Sequence, residues 1–180
     1  MNIVVLNGSY NKKGTTYKLL EKFINKIDGK KHSIYLINTY DLNINYCIGC
    51  RNCEKTGECI YRDMDNLYEI IEKADLVVIS SPVYFGSFTS PLKVLIDRLQ
   101  VIYAKHFVLN KSLKPKKGIF IFTAGRKSEK MLNSMVLQAK YVFLSLNAEF
   151  LDCIYQLNTD EVKELDEKVL EKLEEVVKKI

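Results

Sequence analysis

An α/β fold is predicted, a doubly wound five-stranded parallel sheet with helices on both faces, and two observations predict it. Short β-branched apolar runs alternate with segments of helical period along all 180 residues. The runs are continuous instead of alternating with polar residues, as strands buried on both faces require. Strand and helix alternation of this kind implies right-handed crossovers and a sheet covered on both sides. With 47% hydrophobic residues and neither an internal repeat nor a low-complexity linker, the chain reads as one domain over residues 1–180.

The first strand is Ile3, Val4, Val5 and Leu6, stopped by Gly8. A helix follows, with Thr15 or Thr16 as its cap and Leu19, Leu20, Phe23, Ile24 and Ile27 at helical spacing until Gly29 ends it. Residues 33–38 read as the second strand, and a cysteine-rich loop over residues 46–62 comes after it without apolar periodicity. Asp63 is the expected cap of a helix carrying Leu67, Ile70, Ile71 and Ala74. Residues 76–79 form the third strand, which ends at Ser80, Ser81 and Pro82. Ser90 as cap and Pro91 in the first turn open a helix whose apolar face is Leu92, Leu95, Ile96, Leu99, Ile102 and Tyr103. A basic turn over residues 111–117 leads into the fourth strand, residues 119–122. Ser128 caps a long helix with Leu132, Met135, Val136, Ala139, Val142, Phe143 and Leu146 in register. Residues 150–155 are the fifth strand, where Glu149 and Asp152 suit a sheet edge. Thr159, Asp160 and Glu161 begin the last helix, which runs through Leu165, Val169, Leu173, Val176 and Val177.

The formal charge of +5 is modest, and no basic stripe with interleaved aromatics appears, so a nucleic-acid partner is not expected. No apolar stretch approaches membrane-spanning length, and the first residues run straight into a strand with no basic flank or apolar leader. A cytoplasmic protein is the expectation. In that compartment five cysteines point to metal ligands, redox thiols or core packing in preference to disulfides.

In such a sheet, ligands bind beyond the C-terminal strand ends, where the winding direction reverses. Loops beginning near Gly8, Ser81 and Thr123 meet that description. The first contains Gly8, Ser9, Tyr10, Asn11, Lys12, Lys13, Gly14, Thr15 and Thr16 and delivers the chain to a helix N-terminus. Backbone N–H groups and the helix dipole attract an anion there, and Ser9, Thr15 and Thr16 add hydroxyl donors. Neither the ending of a triphosphate loop nor the G-x-G-x-x-G of a dinucleotide fold is present, so a phosphate monoester is the simpler guest. The second loop contains Pro82, Val83, Tyr84, Phe85, Gly86 and Ser87, a rigid proline with two aromatics and a glycine whose backbone can reach a ring edge. A phosphate and a flat ring in a sheet of this winding point to FMN.

Cys47, Cys50, Cys53 and Cys59 follow C-x2-C-x2-C-x5-C. Four thiolates from one compact loop suit a four-iron cubane, whereas structural zinc more often takes two separated C-x2-C pairs. Spacing favours the cluster and leaves zinc and unligated thiols open. The last gap differs from the ferredoxin x3, and Ile60 stands where a proline would follow, so a two-cluster arrangement is not expected. Cys153 reads as a packing residue in the fifth strand. His32 and His106 read as surface or helix-end residues, and Tyr10 and Tyr84 are the tyrosines expected at a cofactor.

Gly8 and Ser9 with Gly14 and Thr16, then residues 82–86 followed by Leu92, Lys93, Ile96, Asp97 and Arg98, resemble the flavodoxin-like NAD(P)H-dependent FMN reductase family over essentially the whole chain. That resemblance implies the strand order 2-1-3-4-5. It also implies Ser9, Asn11, Gly14, Thr15 and Thr16 at the FMN phosphate, residues 82–87 at the isoalloxazine, and Thr123 and Gly125 as a third contact with Arg126 as a candidate beside them. The family usually has Pro, Arg and Asn where this chain has Tyr10, Asn11 and Thr15. Loss of that Arg removes a bidentate phosphate partner and leaves Lys12 or Lys13 as point charges.

The cysteine pattern, with Gly49 inside it and residues 54–57 ahead of the last cysteine, resembles the iron-sulfur flavoprotein branch of that family. The branch implies a [4Fe-4S] cluster on Cys47, Cys50, Cys53 and Cys59 close to FMN, with no side chain as acid-base catalyst. It further implies NAD(P)H or ferredoxin as electron donor, a small-molecule or protein acceptor, and a homodimer or homotetramer. An FMN or quinone reductase without a cluster and a non-catalytic electron carrier are the other readings of the same residues.

Overall fold

The computed structural model describes residues 1–27 and 32–180. Its five strands, β1 (Asn2–Asn7), β2 (Ser33–Asn38), β3 (Leu76–Pro82), β4 (Lys116–Thr123) and β5 (Ala148–Gln156), form one parallel sheet in the order β2-β1-β3-β4-β5. This is the order the family resemblance implies. The chain winds outward from β1 first to β2 and then, in the other direction, to β3, so the switch point lies between β1 and β3.

Side chains of the central strands point alternately to the two faces, and each face has its own core. Ile3, Val5, Leu76, Val78, Ile119 and Ile121 pack against Leu19, Leu20 and Phe23 of α1 (Thr15–Lys26) and Leu173 and Val176 of α7 (Glu167–Val177). Val4, Leu6, Val77, Ile79, Phe120 and Phe122 face the other way. They meet α3 (Asp65–Lys73), α4 (Ser90–Arg98) and α6 (Glu129–Ser145) through Ile71, Leu92, Leu95, Met135 and Phe143. The continuous apolar runs read from the sequence are therefore two interleaved half-cores. Among the described residues the shorter elements are a 3-10 turn at Thr39–Asp41, α2 (Asn52–Thr56) and α5 (Gln100–Tyr103), the last followed by a π-turn at Ala104–Val108.

Ser128 caps α6 as expected, its hydroxyl accepting from Met131 N–H at 3.3 Å. Other helix starts differ. Gly14, not Thr15 or Thr16, is the N-cap of α1, and Thr89, not Ser90, precedes α4. Met64 occupies the cap of α3 because the Asp63 carboxylate is engaged elsewhere. The last helix begins at Glu167 behind Asp166, whose side chain accepts from Lys168 N–H, so residues 159–161 form a turn instead. Tyr103, placed on an apolar face, is exposed. Gly29 lies outside the described residues. On β5, an edge strand as expected, Asp152 accepts from Lys172 at 2.8 Å and Lys179 at 2.7 Å, tying α7 to the sheet. Among the described residues no helix is long and apolar enough to cross a membrane.

Candidate functional site

Three loops leave the C-terminal ends of β1, β3 and β4, and hydrogen bonds join them. The β1 end is anchored by Gly8 N–H donating to Ser80 O at 2.7 Å and by Thr89 Oγ1 donating to Gly8 O at 2.9 Å. A Cβ on Gly8 would sit 2.7 Å from Thr89 Oγ1 and 2.9 Å from Leu92 Cβ, so only glycine lets α4 approach this closely. Buried Ser9 donates its N–H to Asn7 Oδ1 at 3.0 Å, and buried Thr16 pairs with Thr123 hydroxyl to hydroxyl at 2.6 Å. Val83 N–H donates to Thr123 O at 2.9 Å. Loops one, two and three are thus one assembly at the switch point.

Asn11 turns the first loop: its Oδ1 accepts from Lys13 N–H at 3.0 Å and its O from Gly14 N–H at 2.9 Å. Gly14 has no side chain with which to cap α1, so the first-turn N–H groups of Thr15, Thr16 and Tyr17 point at the loop without an intrahelical partner. That is an anion site by geometry. A cavity of about 520 Å³ adjoins it, lined by Ser9, Tyr10, Asn11, Lys12, Lys13 and Tyr17 together with Asn38 at the end of β2 and residues after it, and Tyr10 leans on Tyr40 at 5.2 Å between ring centroids.

The second loop folds into a tight turn. Tyr84 and Ser87 exchange backbone hydrogen bonds of 3.0 Å, and Phe85 (φ 52°) and Gly86 (φ 72°) between them are both left-handed. For a phenylalanine that conformation is strained, and here the ring is also fully exposed. Gln138 of α6 pins the turn by donating Nε2–H to Gly86 O at 3.0 Å and accepting from Ser87 Oγ at 2.9 Å. Gly125 of the third loop packs against the Asp160 carboxylate, while Arg126 is exposed.

The four cysteines line a second cavity, of about 490 Å³, with Gly49, Arg51, Tyr61, Arg98 and Val101 among its other walls. Gly49 (φ 66°) and Arg51 (φ 57°) are left-handed on either side of Cys50, and such reversals of backbone hand turn successive N–H groups toward one concave side, as in sites for anions and iron-sulfur clusters. Cys53 lies in α2, closed by Gly57 N–H to Cys53 O at 2.9 Å, and Asn52 and Thr56 tie that turn to Glu58 O. Cys47 and Cys50 are exposed, and Cys53 and Cys59 are half-buried. Burial raises the Cys53 thiol, with the neighbouring thiols adding to it. Among the described residues no three Cys, His, Asp or Glu side chains converge closely enough to hold a single metal ion. A tetrahedral zinc, with sulfurs about 2.3 Å away, would need that convergence.

Arg98, the last residue of α4, holds the ends of this loop. Its Nη1 donates to Asn45 O at 2.6 Å, and its Nη2 donates to Tyr61 O at 3.1 Å and Asp63 Oδ1 at 2.7 Å. Asp63 accepts in turn from Asn45 N–H at 2.7 Å and Nδ2–H at 2.9 Å. Burial alone would raise the Asp63 carboxyl, but the Arg98 and Asn45 bonds outweigh it and hold it down to about 2. Tyr68, which donates its hydroxyl to Arg98 O at 3.0 Å, is pushed up to about 12, mainly by burial.

The sequence profile of the NADPH-dependent FMN reductases matches residues 1–151. The chain belongs to that family. Similarity among FMN reductase relatives lies with iron-sulfur flavoproteins, as the cysteine pattern implies. One from Archaeoglobus fulgidus is 35% identical over 100 residues, 55% of this chain and 46% of that protein. One from Clostridioides difficile is 36% identical over 148 residues, 77% of this chain and 63% of that protein. The matched part thus spans about half to under two thirds of these relatives' length. The fold is flavodoxin-like. An NAD(P)H:quinone oxidoreductase from Methanothermobacter marburgensis superposes with a TM-score of 0.74 at 17% identity, covering 99% of this chain and 93% of that one. An FMN-dependent NADH-azoreductase from Bacillus anthracis, in complex with FMN, does so with 0.67 at 16% identity, covering 99% and 97%.

Sequence reasoning missed what holds these loops. Gln138, Thr89 and Asp63 act across distances no local pattern reveals, and Arg98 entered only as part of a motif. His32 and His106 line neither cavity, and Cys153 is half-buried on β5.

Proposed function

We propose that this protein is a flavin-dependent oxidoreductase that binds FMN across its three joined loops and a [4Fe-4S] cluster on Cys47, Cys50, Cys53 and Cys59, and passes electrons between them. The observation that carries this is the reach of α4. Its N-cap Thr89 bonds Gly8 O at one end, and Arg98 at the other lines the cysteine cavity, so one short helix joins both regions.

FMN takes one or two electrons and the cluster one, which lets two-electron substrates meet one-electron carriers. The chain's own residues bind and orient. The α1 N-terminus, Ser9, Asn11, Gly14, Thr15 and Thr16 receive the phosphate. Residues 82–87, with Thr123 and Gly125, frame the ring. No acid-base group stands in the 82–87 turn apart from the Tyr84 hydroxyl, so proton transfer by a side chain is not part of this reading. Four deprotonated thiols supply the donor set that iron requires, and the left-handed backbone at Gly49 and Arg51 suits the anionic group they would hold.

The donor is NAD(P)H or ferredoxin, the acceptor a small molecule or protein, and the assembly a homodimer or homotetramer, with neither nucleic acid nor membrane as partner. A cytoplasmic location keeps the thiols reduced. Anaerobic purification followed by an absorbance spectrum and assays for iron and acid-labile sulfide tests the reading. Flavin bands over broad cluster absorption, with about four irons per chain, are expected. A second reading, an FMN or quinone reductase with no cluster, draws on the lack of convergence among the thiols. Steady NAD(P)H oxidation with quinones by iron-free protein would put it first.

A further inference from the structure

We propose that Arg98 is the positioning residue of the cysteine centre, its fork closing the two ends of the loop and its charge offsetting the thiolates. The proposal rests on the cysteine reading above. Asn45 and Tyr61, whose carbonyls Arg98 grips, bracket all four cysteines. The grip therefore closes the loop at its neck, and closing it in advance removes the entropy that would otherwise oppose gathering four sulfurs. A guanidinium can span two carbonyls and a carboxylate because its donors are fixed in one plane, which a lysine ammonium cannot reproduce.

Three further observations set this residue apart. Arg98 is 1% exposed, although it carries a full charge. The Tyr61 ring covers it, 5.4 Å from centroid to guanidinium carbon. Its Nε is buried and has no hydrogen-bond partner among the described residues. A buried N–H left unpaired is costly, and this one belongs to a side chain in the wall of a cavity lined by four sulfurs. Asp63 is its one ion-pair partner among the described residues, and Asp97 on the same wall is paired with Lys93 at 2.6 Å. Anionic sulfur at the centre would meet the remaining field of the guanidinium.

The test compares iron release to a chelator and the midpoint potential of the iron centre in the anaerobically purified holoprotein and three variants. Arg98→Met is expected to release iron at least about tenfold faster and to shift the potential downward, the range seen when groups supporting metal ligands are removed. Arg98→Lys should keep the potential near that of the parent, because the charge stays, yet release iron faster, because the fork is gone. Wild-type release and potential in a folded, FMN-bound Arg98→Met protein would overturn the proposal. Should Arg98→Met not fold, Asp63→Asn decides, since it cuts one tie and leaves the charge. It is expected to release iron at least about threefold faster with the potential shifted upward, and no change in either overturns the proposal. Parent protein without iron defeats the cluster reading and the charge offset with it, and leaves the closure of the loop neck to be tested. Tryptic cleavage after Arg51 and Lys55 in iron-free protein then decides: cleavage at least about tenfold faster in Arg98→Met supports the clamp, and equal rates overturn it.

Discussion

A methyl group added to Gly8 would meet Thr89 Oγ1 at 2.7 Å and Leu92 Cβ at 2.9 Å, whereas one added to Gly49 would meet nothing within 4 Å. The first glycine belongs to the loop that opens at the switch point, the second to the cysteine loop. One region is carved out of the core: its backbone continues buried strands, and the buried Thr16 hydroxyl of α1 is bonded to that of Thr123 at the end of β4. The other stands out from the sheet, owes little to apolar packing, and is held at its neck by Arg98 and inside by one short helix. Preformation of the first region follows from the fold, while that of the second depends on a few polar ties.

The largest effect expected from breaking this contrast is at Cys53. Cys53→Ser should reduce bound iron from about four per chain to none while FMN stays bound, measured by iron assay and flavin absorbance. Next is Gly8→Ala, which overpacks the α4 contact and should cost about 1–3 kcal/mol in urea unfolding and weaken FMN binding with it. Acid should then separate the two regions. Asp63 titrates at about 2 in the folded chain against a usual 3.8, so its contribution is complete above about pH 4 and is lost as pH falls toward 2. Hydrogen exchange between pH 5 and pH 2 should show residues 45–63 losing protection before β1 and β3 do. The smallest effect is at Gly49, where Gly49→Ala must place a side chain at φ 66° in open space. About 1 kcal/mol of local strain is expected, with iron held more weakly and the melting temperature lowered by only about 2–4 °C.

Strand placement was legible because a central parallel strand is a run of apolar side chains, and residues 3–6, 76–79 and 119–122 admit little else. The three loops followed from where those runs stop. Helix starts were less legible, because a cap is decided by which hydrogen bond a side chain makes. Asp63 has the right chemistry for a cap, yet Arg98, thirty-five residues away in sequence, takes its carboxylate. Thr15 and Thr16 could both cap a helix, but the Asn11 turn brings Gly14 to that position and leaves the Thr16 hydroxyl to Thr123. Gln138 had no local signal at all, being a polar residue on a long helix until the fold sets it beside Gly86.

Phe85 has one more consequence. Its ring stands on a turn that Gln138 keeps rigid, so it cannot fold back to hide from water. A bare aromatic on a fixed stalk is an adhesive point between molecules. Handling of the protein should therefore depend on its colour: if the flat guest proposed for this turn covers the ring, yellow preparations should stay clear on concentration, and bleached ones should turn cloudy first.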